Sequence, residues 1–443
     1  MPDVHVSRTL DLALRVGEML LSNGAGAADV TATMGSITHH LGVRQAQVDL
    51  TFTTLTMSHQ QRPDAPASTA TRHVTHRETD FDDLTSVDLL VADLLDDAID
   101  LDEARSRLAQ IASTGHRAPR WAVSLAWAVL GAGVAILIGG GLLVTGIAAV
   151  AAAGAEFIQR YLSRLRLPTF YTQIAGGAFA SLLAVATEAT DLDVDPSLVI
   201  VTGIVTLLAG LGFIGAFQDA LSGYYVTANA RILEVLLSTV GIIAGVGAGL
   251  SIGSMVGVDV SVRVSTLELA PVPLAAAGGA LAAAAFALSA YAPNRSILPI
   301  GLVGGGATAI YAAIATQDVS PAWPSAVAAV SIGLVGYHVA RAVRVPPLVI
   351  VVPAIIPLLP GLSIYRGLTQ LADDNFVGIL SLIAAVASAI ALASGVILGE
   401  YIAQPLRREA RRLEQRLSGP RLVGPLRARA RVRNKKRDQD SDK

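Results

Sequence analysis

The chain has 443 residues, 52% of them hydrophobic and only 15% charged, and its mean hydropathy is +0.55. A soluble enzyme carries about a quarter charged residues, so this balance points away from one. No cysteine is present, which excludes disulfides, thiolate catalysis and cysteine-ligated metals. The near-neutral total averages three unlike regions. Residues 1–120 hold 17 acidic and 10 basic side chains, residues 121–405 hold 13 and 9, and residues 406–443 hold 5 and 14.

The polar head comes first, over residues 1–118. "RTLDLALRVGEMLLSNGAG" places Leu10, Leu14, Gly17 and Leu21 on one helical face, and Asn23-Gly24 ends the run. Asp11, Arg15 and Glu18 interrupt any apolar signal core here, so the head is expected to stay on the side where it is made. A second helix carries Val30, Met34, Ile37 and Leu41 and stops at Gly42. "QVDLTFTTLTMS" alternates at Val48, Leu50 and Phe52 and reads as one strand with a phase slip near Thr54. A second strand is expected near Thr69–Thr75, then helices over Ser86–Ile99 and Leu101–Ser113. The sum is a small α+β domain.

Seven of the eight histidines lie in this head. The spacing of His73 and His76 suits neither a zincin helix nor a zinc finger, so these read as solvated side chains, and no metal or other cofactor is expected. No nucleophile elbow, P-loop or dinucleotide fingerprint is present.

Ten stretches of residues 119–405 are apolar enough to span a bilayer, for which about 20 residues are needed. They are Trp121–Gly139, Leu142–Ile158, Phe170–Ala186, Leu198–Phe213, Val235–Met255, Leu274–Tyr291, Ile297–Ala315, Ala322–Val339, Leu348–Leu359 with its extension, and Val377–Ile402. Their richness in Gly and Ala suits close packing in a polytopic bundle. Loops after even-numbered segments carry Arg160, Arg164, Arg166, Arg231, Arg295, Arg341 and Arg344; the odd loops hold only Arg263 and Arg366. The positive-inside rule then puts both termini in the cytoplasm. The basic tail, residues 406–443, is expected to be partly disordered and to meet anionic lipid headgroups rather than nucleic acid.

"PLVIVVPAIIPLLPGLSIYRG", Pro347–Gly367, sets helix breakers inside the ninth segment. Moved back without a gap, it lies on "PSLVIVTGIVTLLAGLGFIGA" of the fourth: Pro196 meets Pro347, Val201 meets Val352, and Gly210-Leu211 meets Gly361-Leu362. Each is the fourth of five segments. Five is odd, so a second copy would enter the membrane upside down, giving two five-helix repeats over 119–263 and 264–405. Broken helices at mid-membrane are tolerated where the freed backbone lines a cavity or binds something.

These features together resemble the threonine/serine exporter family. The head motif "GEMLLSNGAGAADVTATMGSITHHLGV" with "VDLTFTTLTMS", and the membrane motifs "LLAGLGFIGAFQDALSGYYVTANARILEVLL" and "IIPLLPGLSIYRGLTQL", carry the resemblance. It covers nearly the whole chain. Asp219, Gly223 and Arg231 match the family pattern, while Ala209 stands where proline is usual and Gln218 where a basic residue is usual. The resemblance implies ten spans, a cytoplasmic N-terminal domain and export of small hydroxy amino acids driven by the proton motive force, with a homo-oligomer left open.

A zwitterionic substrate needs a partner for its ammonium and one for its carboxylate. Asp219 is the candidate for the ammonium or the proton, with Glu234 a second proton group; Asp219 as a cytoplasmic loop charge paired with Arg231 is the alternative. Arg231 or Arg366 would take the carboxylate, and Thr202, Thr206 and Tyr365 could meet a hydroxyl. Gly210, Pro357, Pro360 and Gly361 mark the two breaks. An exporter of another small zwitterion, a passive channel and a membrane-tethered hydrolase are the competing readings.

Overall fold

The computed structural model describes residues 2–62, 64, 66–75, 77–115, 119–190, 196–207, 210–258, 260, 269–317, 320–360, 363–364, 366–367, 370 and 376–403. It divides into two compact units, one within Met1–Gly115 and the other within His116–Pro420.

In the first unit α1 (Pro2–Ser22) and α2 (Ala27–His40) precede β1 (Gln47–Thr51), β2 (Thr54–His59) and β3 (Ser68–His73), and α3 (Phe81–Leu95) and α4 (Leu101–Ser113) follow. Leu10, Leu14 and Leu21 are buried, as are Val30, Met34 and Ile37, so both amphipathic faces turn inward as their spacing predicts. The single strand expected over 47–58 is instead a hairpin. β1 and β2 pair antiparallel from Gln47–Ser58 to Thr51–Thr54, with Phe52 at φ 50° in the turn. The phase slip near Thr54 is that turn, and β3 extends the sheet in the order β1-β2-β3. α3 starts earlier than its apolar pattern suggests because the Asp80 carboxylate accepts the Asp82 and Asp83 N–H groups at 2.9 Å. Asp100 caps α4 the same way through the Glu103 N–H at 2.8 Å.

Asp29 of α2 and Asp88 of α3 are both buried in this unit. Burial first, and then the charge of Asp29, push the Asp88 carboxyl up from 3.8 to about 8. A carboxyl raised by folding contributes stability that is complete below its unfolded value and is lost as pH rises through the folded one. Amides of α3, followed by hydrogen exchange in the full-length protein and corrected for intrinsic rates, should therefore lose protection between about pH 4 and pH 8. Asp88→Asn should flatten that slope; an unaltered slope in the variant would assign the pH dependence elsewhere.

The second unit is helical: α5 (Arg120–Leu137), α6 (Leu142–Arg164), α7 (Thr169–Glu188), α8 (Pro196–Leu207), α9 (Gly210–Leu221), α10 (Tyr225–Met255), α11 (Val272–Ser289), α12 (Asn294–Ala315), α13 (Ala322–Val343), α14 (Pro347–Ile355) and α15 (Val377–Ala403). Eight of these, α5–α7, α10–α13 and α15, are long and apolar enough to cross a bilayer. The expected fourth and ninth segments are not single long helices. The fourth is divided between α8 and α9, and α14 passes into a 3-10 turn, Ile356–Leu358, after nine residues. Proline explains the second case, since Pro353 and Pro357 bring no N–H to the helical ladder.

Packing in this unit occurs in matched pairs. α5 packs on α6 as α11 packs on α12, α6 on α7 as α12 on α13, and α7 on α10 as α13 on α15. α8 touches α5, α6 and α7, and α14 touches α11, α12 and α13. The match extends to single residues. Gly241 faces the Phe170 carbonyl as Gly395 faces that of Ala326; Gly245 meets Ile174 as Gly399 meets Val330; Gly177 meets Ile242 as Gly333 meets Val396.

α5 and α11 cross where a β-carbon on Gly133 would lie 2.8 Å from the Ala282 nitrogen and one on Gly278 would lie 2.6 Å from the Leu137 nitrogen. Contacts that fall along α11 as they rise along α5 make these two helices antiparallel. Backbone this close admits no side chain. Gly245→Val, whose branched β-carbon would overlap the Ile174 carbonyl, should lower the melting temperature of the purified protein by several degrees, whereas Gly247→Val, at a site with open space, should leave it nearly unchanged.

Candidate functional site: a broken helix and a buried ion pair

α8 ends at Leu207 and α9 begins at Gly210. A helix end leaves its last carbonyls without donors from a following turn, and a helix start leaves its first N–H groups without acceptors. The end of α8 therefore carries partial negative charge and the start of α9 partial positive charge. The Leu207 carbonyl is met by a side chain: Gln173 Nε2 of α7 donates to it at 3.3 Å. Gln159 Nε2 of α6 in turn donates to Gln173 Oε1 at 3.0 Å.

α9 has two working faces. Gly212 and Gly215, with Asp219, line the face toward α10, where a β-carbon on Gly215 would sit 2.7 Å from Arg231 Nη1. Phe213 packs with Val235, Ile364, Ala385 and Ala389, and Phe217 and Leu382 border that cluster. The chain leaves α9 through Gly223 at φ 91°, a left-handed position that glycine takes without strain, and the Tyr224 N–H donates to the Asp219 carbonyl at 2.8 Å. This turn folds α10 back along α9. Arg231 Nη1 then lies 3.1 Å from Asp219 Oδ2, with the two side chains 12% and 2% exposed.

Residues 11–253 match the family model for threonine/serine exporters, ThrE, and residues 275–402 match a second model described as "Threonine/Serine exporter, ThrE". A "Probable threonine/serine exporter" of Mycobacterium tuberculosis (strain ATCC 25618 / H37Rv) is 34% identical over 429 residues, 94% of this chain and 81% of the relative. The "Threonine/serine exporter" of Corynebacterium glutamicum is 34% identical over 419 residues, 92% of this chain and 85% of the relative. The chain belongs to the threonine/serine exporter family. No solved structure matches it.

In this exporter-family chain the residues singled out from sequence fall into separate places. Asp219 and Arg231 are brought together. Asp219 is no loop charge: it sits inside α9 and is 1% exposed, because the small face of α9 lets Arg231 close over it. Gly210 is the first residue of α9. Thr202 is fully buried, and its hydroxyl donates into its own helix, 2.8 Å from the Leu198 carbonyl and 3.0 Å from that of Val199. Pro357 lies in the 3-10 turn, and the Pro360 carbonyl accepts the Ile364 N–H at 3.1 Å. Arg366 is half-buried, with Nε and Nη2 enclosed and without a hydrogen-bond partner among the described residues; it follows Ile364 of the Phe213 cluster by two positions. Glu234 is exposed on α10. The Thr206 side chain, Gly361, Tyr365, His76 and the basic tail lie outside the described residues.

Sequence reasoning missed Gln159 and Gln173. Two amides at helical positions in apolar stretches were the available signal. It also placed Arg160 in a loop, whereas Arg160 is within α6, with Nε 2.6 Å from Glu156 Oε1, and Ser124 of α5 donates to Glu156 Oε2 at 3.3 Å.

A buried ion pair is weak evidence for stability as a whole, but removing one partner leaves an uncompensated charge and costs about 3–5 kcal/mol. Arg231→Gln should accordingly lower the melting temperature of the purified protein markedly. Adding Asp219→Asn to it should recover most of the loss. Additive destabilisation in the double variant would mean that the two side chains are not coupled.

Proposed function

We propose that this chain is a secondary carrier, not an enzyme, that exports threonine and serine across the cell membrane in exchange for protons. The observation that carries the reading is the buried Asp219–Arg231 pair between the helix that follows a break and the next one, in a chain of the threonine/serine exporter family. A carboxylate that holds a substrate ammonium cannot hold a proton at the same time. Exclusive occupancy of one acid by two ligands is the requirement for antiport. Asp219 is that acid in our reading, with Glu234 the secondary candidate. Arg231, Arg366 or the first N–H groups of α9 at Gly210 take the carboxylate, and Thr202, Thr206 and Tyr365 are the candidates for the hydroxyl.

We further infer ten spans in two five-helix repeats of opposite orientation. The matched packing of α5–α10 and α11–α15 supports this, and so does the antiparallel crossing of α5 on α11, the first helices of the two sets. α8/α9 and α14 with its following turn are then the fourth, interrupted element of each repeat, and Pro357, Pro360 and Gly361 belong to the second break. Both termini lie in the cytoplasm in this scheme, residues 1–118 form the cytoplasmic domain, and the basic tail lies on anionic headgroups.

Proteoliposomes preloaded with labelled threonine test the coupling. Asp219→Asn should abolish efflux driven by an imposed pH gradient and, because the ammonium loses its carboxylate, raise the KM of threonine–threonine counterflow, which moves no net proton. Glu234→Gln should keep both activities. Gradient-driven efflux that survives Asp219→Asn would remove Asp219 from proton coupling.

A further inference from the structure

Several arginines of the second unit have partners. Arg160 closes on Glu156, Arg231 on Asp219, and Arg295 donates to the Val343 and Arg344 carbonyls at 2.7 and 3.0 Å. Arg120, Arg164 and Arg166 differ: they are exposed and make no ion pair among the described residues. Antiparallel packing gathers them. Ser124 of α5 meets Glu156 of α6 at 3.3 Å, so one turn further along both helices Arg120 and Trp121 lie level with Arg164. Gln159 of α6 meets Gln173 of α7 at 3.0 Å, which brings Tyr161 level with Tyr171. Trp121 is 69% exposed, and both tyrosines are exposed as well. Arg166 sits at φ 57° in the turn between α6 and α7, where glycine is the unstrained choice, so a guanidinium is kept there against the backbone preference. The far ends of α5 and α6 meet at Gly139-Gly140-Gly141 and carry no charge. α6 is also the least enclosed of the eight long helices, which leaves its outer face to lipid.

We propose that these ends of α5, α6 and α7 form a binding site for the headgroup of an anionic phospholipid. Arg164 and Arg166, with Arg120 beside them, donate to the headgroup phosphate; a guanidinium presents its N–H groups in a planar fork that matches two phosphate oxygens. Trp121, Tyr161 and Tyr171 stand at the depth where amphipathic rings border hydrocarbon and headgroup. The acid at this end, Glu156, is taken by Arg160, so nothing on these three helices offsets the cations. Their complement is a lipid of net negative charge rather than one whose phosphate is balanced by its own ammonium. A basic side chain in the last turn of a helix also offsets the helix dipole, but that effect stabilises α6 alike in every lipid. The inference needs only that α5, α6 and α7 cross the membrane, whatever substrate is carried.

Trp121 reports on the site. In full-length protein carrying Trp127→Phe and Trp323→Phe it is the one remaining tryptophan. The protein is reconstituted in phosphatidylcholine vesicles with either brominated phosphatidylglycerol or brominated phosphatidylcholine, whose bromines quench a neighbouring tryptophan. Phosphatidylglycerol should associate at least about fivefold more strongly, the effect of one arginine near a charged surface, and molar salt should reduce that preference. Arg164→Gln combined with Arg166→Gln should bring the ratio to about one, whereas Arg344→Gln, at another exposed arginine, should leave it unchanged. Equal quenching by the two lipids in the parent, or a preference that survives the double arginine variant, would overturn the proposal. Quenching by neither lipid would overturn it too, since a second copy or another segment would then cover Trp121. If the tryptophan variants do not fold, phospholipid copurifying with the unaltered chain and with the double arginine variant decides, measured by mass spectrometry. Loss of phosphatidylglycerol from the variant is the expected result, and equal content overturns the site.

Discussion

A bilayer offers no water to unpaired backbone, so each peptide group inside it must find a partner within the protein. Eight helices of the second unit are each one continuous element, α12 running on through Pro299. α8, α9 and α14 are shorter than a span, and the surrounding side chains are arranged accordingly. Gln173 reaches the carbonyl at the end of α8, Gln159 holds Gln173, and Gly176 admits the Leu207 side chain into the same place. The helix interruption is supported from α6 and α7 and walled by α10.

Close approach of helices is the second requirement, and glycine meets it. Four glycines at one-turn spacing on α10, Gly241, Gly245, Gly249 and Gly253, face α7. Gly395 and Gly399 on α15 do the same against α13. Lipid tails are as apolar as leucine side chains, so association here is driven by dispersion contact at short range, and a bulky residue would forfeit it. The antiparallel crossing at Gly133 and Gly278 joins the two sets by the same means. Under the proposed repeat, this crossing lies on the pseudo-twofold axis.

Much of this was legible in the sequence, and the misses have physical causes. Long apolar runs fixed the eight long helices because membrane length is a strict requirement. The faces of α1 and α2 followed from spacing, and α4 was placed at Leu101–Ser113 by its acidic first turn. The β1–β2 hairpin was missed because its turn, Phe52-Thr53, lacks the usual Asn or Gly and puts a phenylalanine at positive φ. The break in the fourth segment was visible as a Pro and Gly pattern repeated in the ninth. What the pattern did not show was that residues after the break form a second helix with its own small face. That face, spaced as Gly212, Gly215 and Asp219, is why an apparent loop acid is buried with Arg231. Gln173 carried no motif at all; its hydrogen bond to the Leu207 carbonyl exists only because α7 passes the end of α8.

Two ion pairs among the described residues of the second unit share a property that bears on transport. Asp219 with Arg231, and Glu156 with Arg160, are each neutral as a unit. A neutral pair can stay in a low-dielectric interior while the helices around it move, whereas a lone charge resists every displacement. The pairs differ in construction. Glu156 and Arg160 are one turn apart on a single helix, with Ser124 alongside, so no rearrangement between helices needs to separate them. Asp219 and Arg231 lie on different helices joined by the Gly223 turn, and a change in the angle between α9 and α10 would part them. A zwitterion carries both complementary charges and could replace each partner by its own carboxylate and ammonium without adding net charge to the interior. In the proposed exporter, that exchange of an internal pair for a substrate pair makes Asp219–Arg231 the site where binding and helix movement meet.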